Sequence, residues 1–176
     1  DQTNGSVKYY TKDYITEEMI GDVRGMWGFG LDSAANPDDY SVKTNTLTGT
    51  SITAADYVSG VRGWGIDFDG SSERLVLATA SAGDVNFYGG QQFTVSAWVR
   101  MDVAPGSGDY DLIVGKHDQT SLQRQYAFNV HNDDADTTGN FIFGLSDEST
   151  VQGLTATVAN DTVSQNIWYH IVGTYN

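Results

Sequence analysis

Residues 93–100 of this 176-residue chain read FTVSAWVR and alternate strictly between two kinds of side chain. One set is uniformly apolar, and the other carries hydroxyls, the guanidinium of Arg100 and the indole of Trp98. Successive side chains of a β-strand point to opposite faces, so this period of two predicts a strand with one core face and one half-covered face. Much of the remaining chain has the same character, with loops rich in Gly, Asp, Asn, Ser and Thr, which predicts an all-β fold.

Length and composition limit the partners and the chemistry. A chain of 176 residues fits one domain, which buries about 70% of its unfolded surface without covalent staples. The absence of cysteine excludes disulfides and thiolate metal sites. A formal net charge of −14 repels nucleic acid phosphates and anionic membranes, and no apolar run approaches the ~20 residues of a membrane span. The sequence therefore predicts no nucleic acid partner and no membrane insertion.

Alternating apolar patterns and turn residues predict about ten short strands. In residues 63–70, Trp64, Ile66 and Phe68 are expected to face inward, followed by an Asp-Gly turn. An acidic hairpin loop is expected from His131 to Asn140. Residues 1–21 are interpreted as an arm or linker. Besides residues 93–100, the predicted strands are 23–31, 47–52, 63–68, 75–77, 111–116, 126–130, 141–145, 154–158 and 167–175.

Four stretches, in this order and spacing, resemble laminin-G-like, concanavalin A-like jelly-roll domains. They are GWGIDFDG at 63–70, FTVSAWVR at 93–100, IVGK at 113–116 and WYHIVGTY at 168–175. The resemblance covers residues 22–176 and implies an antiparallel jelly-roll β-sandwich with a short N-terminal arm. In that family a concave sheet and its rim loops bind glycans or proteins, often with calcium.

The resemblance also implies two finer expectations. Family members continue past the last of these stretches with further strands, so the chain is expected to lack its last C-terminal strands. Two explanations are open: the sequence is cut short, or the arm or a partner supplies the missing strand. The strands that hold Trp27, Trp64, Trp98 and Trp168 are mostly core strands in the family, so these indoles are expected to pack rather than to bind.

A catalytic role finds little support among the acidic residues. Related glucanases carry a pattern like Glu-x-Asp-x-x-Glu, which none of the Glu residues at 17, 18, 73 and 148 fits. Asp67 and Asp69 are two apart and could share a strand face, but Asp69 falls in a turn where Asp-Gly is ordinary. His170 is interpreted as a hydrogen-bonded structural histidine. The chain is therefore predicted not to be an enzyme.

Calcium is the candidate cofactor. Asp134, Asp136 and Thr138 stand at positions 1, 3 and 5 of a half-matched calcium loop with Gly139 at position 6, and Asp133 lies beside them. Position 12 is Leu145 rather than Glu, so the pattern equally suits a hairpin loop rich in turn formers. A further acidic group, Asp32, Asp38 and Asp39, follows the first predicted strand.

Sugar sites combine an aromatic platform with polar side chains that hold the hydroxyls. Tyr88, Tyr110 and Tyr126 lie in or beside predicted loops, and Asp118 follows the strand at 111–116. Tyr126 is the weakest of these candidates, because it shares a strand face with Phe128. Asp118 also lies where some calcium-binding relatives place ligands.

These observations favour a non-catalytic recognition or adhesion module that binds surface carbohydrate, assisted by calcium. Its expected partners are a glycan or glycoprotein surface and neighbouring copies or domains of a larger assembly, and its expected location is extracellular, on a cell or virion surface. The alternative is a structural domain of a virion, as a capsid decoration or fibre, or of a cell-surface layer. A glycoside hydrolase is a weak third hypothesis.

Overall fold

A computed structural model describes residues 22–29, 37–78, 82–87, 91–116, 126–132, 138–145, 155–157 and 163–176. The chain divides into two compact units, Asp1–Val85 and Asn86–Asn176. No helix among the described residues is long and apolar enough to cross a membrane. The strands in the described parts are β1 Leu47–Thr50, β2 Tyr57–Ser59, β3 Trp64–Ile66, β4 Arg74–Leu77, β5 Phe93–Arg100, β6 Tyr110–Lys116, β7 Tyr126–His131, β8 Thr138–Leu145, β9 Thr155–Thr157, β10 Val163–Ser164 and β11 Trp168–Tyr175.

The described part of the first unit contains two small antiparallel sheets and two 3₁₀ helices. β1 pairs with β4, and β2 pairs with β3. One 3₁₀ helix, Ala54–Asp56, begins with a capping box in which Thr53 and Asp56 satisfy each other's backbone donors. The other is Ala82–Val85. These short pieces need further support, which polar side chains provide.

Asp39 provides much of that support from a buried position. Its carboxylate accepts hydrogen bonds from the backbone N–H groups of Met26, Ser41 and Asn45, each at 2.8 Å, and from the Ser41 hydroxyl at 2.6 Å. Burial acts to raise the pKa of Asp39, but the hydrogen bonds from Ser41, Met26 and Asn45 outweigh burial and hold that pKa below its ordinary value. Asn45 in turn joins Arg24 and Trp27 to the same loop.

Two predictions for this unit are wrong. In place of a strand over residues 23–31, the described part (22–29) makes only an isolated bridge between Trp27 and Asp39, because side-chain hydrogen bonds rather than a ladder hold it. Trp64 and Phe68 are exposed rather than inward-facing, with Trp64 54% exposed. The alternation of β3 is as predicted, but Gly65 is its buried residue, so the indole lies on the opposite face.

The second unit contains a five-stranded antiparallel sheet in which β10, β8, β7 and β6 lie side by side and β9 also pairs with β8. β7 and β8 form a hairpin whose ladder runs from Tyr126–Leu145 to His131–Asn140. The expected acidic loop is therefore shorter than predicted, because both of its ends belong to strands. The register of β6 shifts between Leu112 and Val114, which is a β-bulge.

β5 and β11 form a two-stranded ribbon with eight consecutive antiparallel pairs, from Phe93–Tyr175 to Arg100–Trp168. Its apolar face packs on the five-stranded sheet within this unit. Phe93 lies 5.2 Å from Tyr126 and 6.0 Å from Phe143, measured between ring centroids. The buried residues of this core are Met101, Tyr126, Phe128, Val130, Phe141, Phe143, Val163 and Ile171.

The predicted fold class is confirmed: the chain is an all-β protein of antiparallel sheets, and the second unit packs two sheets face to face as a sandwich requires. β5 has the predicted bounds, and its Phe93, Val95, Ala97 and Val99 side chains meet the core as the alternation predicts. β2 and β10 were not predicted, because three or two residues give no periodic signal. The predicted arm, residues 1–21, lies outside the described residues.

Replacing Gly173 with Ala is expected to destabilise the second unit. A Cβ at Gly173 would lie 2.6 Å from Cγ of Phe143, a buried core ring that has little room to move. Overpacking of this kind costs about 1–3 kcal/mol. Urea unfolding followed by tryptophan fluorescence measures the loss. The control is Gly83→Ala, since a Cβ there meets nothing within 4 Å; equal stability of the two variants would contradict the packing described.

Replacing Asp39 with Asn is expected to destabilise the first unit by about 2–3 kcal/mol, because an amide has one acceptor where four donors converge. Since the folded pKa of Asp39 is lowered, its contribution is present above the unfolded pKa of about 4 and is lost as the pH falls through the folded pKa. Thermal unfolding from pH 7 to pH 3 should show a smaller acid loss in Asp39→Asn than in wild type. Asp38→Asn, at an exposed neighbour, is the control and should retain the wild-type acid profile.

Candidate functional site

The outer face of the five-stranded sheet carries the most suggestive group of side chains. β7 alternates so that Tyr126, Phe128 and Val130 are buried, which turns Asn129 and His131 outward. Ladder partners share a face, so Tyr110 of β6 stands beside His131, and Leu112 stands beside Asn129. An aromatic pair thus adjoins an amide and an exposed aliphatic side chain.

Tyr110 and His131 stack with ring centroids 3.9 Å apart and planes 19° apart. Rings that close can only lie face to face, so each stands up from the sheet with one face covered by the other. β6 ends the described sheet path on this side, and the uncovered face of Tyr110 therefore looks out beyond the sheet edge. The side chain is 59% exposed, so this face is accessible to a ligand.

The turn before β6 holds Tyr110 in place. Gly108 donates its N–H to the carbonyl of Asn132, and the Asn132 N–H donates to the carbonyl of Asp109. The buried Asn132 side chain donates to the carbonyl of Pro105 at 2.9 Å. Gly108 adopts φ +80°, a conformation that favours glycine. The turn at residues 105–109 is thus tied to the end of β7, which fixes the start of β6.

Asp111, the acidic residue that follows Tyr110, does not join it on the outer face. Asp111 pairs with the buried Val130, so the alternation places it on the core face of the sheet, where it stays exposed because β6 is the edge strand of the described sheet. Partial burial and the nearby charge of Asp109 raise the pKa of Asp111. An inward-pointing charge, the bulge and the terminal Lys116 are devices that discourage edge-to-edge pairing of sheets. The position of Asp111 therefore supports a structural role.

The other predicted ligand-binding residues are Tyr126, Tyr88 and Asp118. Tyr126 is only 8% exposed and packs among core rings, and burial raises the pKa of its phenol to about 12. A buried ring offers no platform, so we leave Tyr126 out of the site. Tyr88 and Asp118 lie outside the described residues.

The predicted calcium loop cannot be placed in full. Asp133, Asp134 and Asp136 lie outside the described residues, and Thr138 is described only as the first residue of β8. Among the described residues, no group of three or more His, Asp or Glu side chains could hold a metal ion. Asp39 from the other acidic group uses both carboxylate oxygens for the hydrogen bonds described above.

Asp69, one member of the possible acid pair with Asp67, has a structural role in its own turn. Asp69 accepts hydrogen bonds from the N–H groups of Ser71, Ser72 and Glu73 and from the Ser72 hydroxyl. The Ser72 hydroxyl, followed by those N–H groups, holds the pKa of Asp69 well below its ordinary value. A carboxylate that stays ionised and is engaged by its own turn is a poor proton donor, so the pair gives no support to glycosidase chemistry.

Sequence reasoning missed several exposed residues. His131 was assigned only to a loop, and Asn129 was not considered, although alternation against Phe128 and Val130 could have indicated their outward direction. Trp98 is 53% exposed and lies on the half-covered face that the alternation of residues 93–100 predicted for it. His170 makes a hydrogen bond with Ser96 across the ribbon at 2.8 Å, as its structural interpretation predicted.

Comparison with known protein families agrees with this architecture. A laminin G-type family model, described as the concanavalin A-like lectin/glucanases superfamily, matches residues 69–176. The chain belongs to this family, and at a coarse level it is a lectin-like or adhesion module. Neither the curated proteins nor the solved structures include a significant match.

Replacing Asp111 with Asn is expected to leave stability unchanged or to raise it by about 0.5 kcal/mol at pH 7, because the residue is exposed and only partly desolvated. The raised folded pKa means that ionisation of Asp111 costs the folded state stability as the pH rises through that pKa. Chemical unfolding at pH 7 and pH 4 should show the gain only at pH 7. Asp109→Asn, which removes the neighbouring charge, should give part of the same gain; a loss in Asp111→Asn would contradict this assignment.

Proposed function

We propose that this protein is a non-catalytic carbohydrate-recognition module whose ligand stacks on the free face of Tyr110. The single observation that carries the proposal is the upright Tyr110–His131 pair at the edge of the sheet, with one ring face open. The apolar C–H face of a pyranose suits such a ring, while the Asn129 amide offers hydrogen bonds to hydroxyls. Family membership supports the same class of function.

The charge of the chain favours neutral glycans. With a formal net charge of −14, the protein repels sulfated and carboxylated polymers at moderate salt. Neutral sugars are not repelled by this charge, and their recognition depends on stacking and hydrogen bonding. We therefore expect hexose or pentose polymers without acidic groups, presented outside the cell on a cell or particle surface.

Calcium is part of the proposal through the loop between β7 and β8. Asp134, Asp136 and Thr138 supply the oxygen donors that calcium prefers, and this loop directly follows His131 and Asn132 in sequence. A bound cation there would reduce the repulsion among the carboxylates of this segment. This chemistry comes from the sequence pattern, so the binding experiment must include a calcium-free arm.

Replacing Tyr110 with Ala is expected to weaken glycan binding about tenfold, the loss typical of removing one aromatic anchor. An array of neutral glycans, probed in millimolar calcium and again with a chelator, measures the change. Tyr110→Phe keeps the ring and should stay within about threefold of wild type. Val103→Ala, at a side chain 76% exposed elsewhere in the same unit, controls for general surface effects.

Binding by Tyr110→Ala at wild-type strength would contradict the proposed platform. Binding unaffected by the chelator would remove calcium from the proposal and leave the stacking intact. Silence of the wild-type protein across the array, with its fold confirmed by circular dichroism, would favour the structural role in a surface assembly.

A further inference from the structure

The outer face of the β5–β11 ribbon lies on the side of the second unit opposite the Tyr110 face, because the core separates the two sheets. It carries the residues that alternate with the core positions. These are Thr94, Ser96, Trp98 and Arg100 on β5, and Trp168, His170, Val172 and Thr174 on β11. The face is thus a compact group of indoles, hydroxyls and basic side chains on a strongly acidic protein.

Trp98 is the centre of this face. It pairs with His170 across the ribbon, and their rings stack with centroids 4.9 Å apart and planes 27° apart. The small angle between the planes shows that the rings lie nearly face to face, so His170 covers one face of the indole and the other face points away from it. β11 is the only ladder partner of β5 among the described residues, so that open face looks away from the ribbon, and the side chain is 53% exposed.

Neighbouring side chains hold this arrangement. The Ser96 hydroxyl lies 2.8 Å from Nε2 of His170, which orients the imidazole against the indole. One pair further along, the Arg100 guanidinium lies 5.4 Å from the centre of the Trp168 ring. Ordered rings lose little conformational entropy when a ligand binds.

Asp102 adds a preorganised acceptor. Its Oδ1 accepts from Nε of Arg100 at 2.8 Å and its Oδ2 accepts from a terminal guanidinium nitrogen at 3.2 Å. A carboxylate has about four lone-pair sites, so two remain for hydroxyl donors. The Asp102 side chain is 41% exposed. Its pairing with Arg100 also offsets the guanidinium charge, which disfavours recognition by charge alone.

We propose that this face is a second binding site for a neutral oligosaccharide, with the pyranose stacked on the free face of Trp98. Asp102 and the Ser96–His170 pair bind its hydroxyls. The site does not depend on Tyr110 for its own binding, but together with the proposed Tyr110 site it makes the second unit bivalent. Two sites on opposite sides allow one protein molecule to bridge two polysaccharide chains, which raises avidity without new contacts.

The Ser96–His170 pair could instead suggest a nucleophile and its base. No carboxylate in the described residues is hydrogen-bonded to the other nitrogen of His170, so the described residues do not orient it as a general base. A hydroxyl and an imidazole that hold each other beside an open indole suit sugar binding better.

The test uses the full chain with wild type, Trp98→Ala, Trp98→Leu, Tyr110→Ala and the Trp98→Ala/Tyr110→Ala double variant. Neutral polysaccharides such as mannan, xylan and laminarin are the probes, in solution for affinity and on beads for bridging. Trp98→Leu keeps apolar bulk without a ring. Val172→Ala is the matched control, because Val172 is 52% exposed on the same face and carries no ring.

We expect each Trp98 variant to bind the polysaccharide about tenfold more weakly at the Trp98 site. Each variant should no longer bridge beads but should still bind at the Tyr110 site. The double variant should lose both, while Val172→Ala behaves as wild type. Bridging at wild-type level by both Trp98 variants would overturn the second site. Unchanged binding and bridging by Tyr110→Ala would contradict the proposed Tyr110 site. Loss of all binding by Tyr110→Ala alone would contradict the proposed Trp98 site.

Two further outcomes count against the second site. Binding of no polysaccharide by the wild-type chain would contradict both sites. A wild-type dimer in sedimentation that Trp98→Ala converts to monomer, without any effect of polysaccharide, would show that the face joins two copies of the chain.

Discussion

The antiparallel pairing of β5 with β11 determines both the core and the outer surface of the second unit. Eight consecutive pairs in one register send Phe93, Ala97 and Ile171 into the sandwich and Trp98 and His170 out of it. A slip by a single residue would exchange these sets and bury the indole and imidazole in place of the apolar side chains. Gly173 shows how tight the fit is, because its missing Cβ leaves the space that the Phe143 ring fills.

The alternation of side chains also determines which residues lie on the outer face of the five-stranded sheet. Its inner face supplies Tyr126, Phe128 and Phe143 to the core, so its outer face must present whatever alternates with them. The turn before β6 and the buried Asn132 then place Tyr110 beside His131 at the end of the sheet. The proposed binding surface therefore follows from the core pattern: strands that are apolar on one side leave polar and aromatic residues on the other.

Long strands were predictable from the sequence, because eight alternating residues give a clear signal in β5 and β11. The fold class followed from these strands and from the four family-like stretches. Short segments were not predictable: residues 22–29 are held by Asp39, a side-chain anchor 13 positions from Met26, and no local pattern encodes such a contact. The prediction that Trp64 faces inward is wrong. It assumed that the face with the largest apolar side chains is the buried one, whereas the buried residue of β3 is Gly65.

The candidate site was predictable only in part. Tyr110 could be named from its position beside a turn, and the doubt about Tyr126 followed from its sharing a face with Phe128. The partners of Tyr110 could not be named, because the ladder that brings His131 next to it joins residues 21 positions apart through a bulged strand. Trp98 was assigned to the correct face by alternation, yet the family resemblance suggested a core residue, and the exposure of its ring became evident only from the structure.

The most direct test of the central claim is an NMR titration of the protein, with labelled tyrosine and histidine rings, by a neutral oligosaccharide that binds it. The account predicts that the resonances of Tyr110 and His131 shift together with ligand concentration, while buried Tyr126 stays unchanged. Saturable binding that leaves the Tyr110 and His131 rings unperturbed would contradict it.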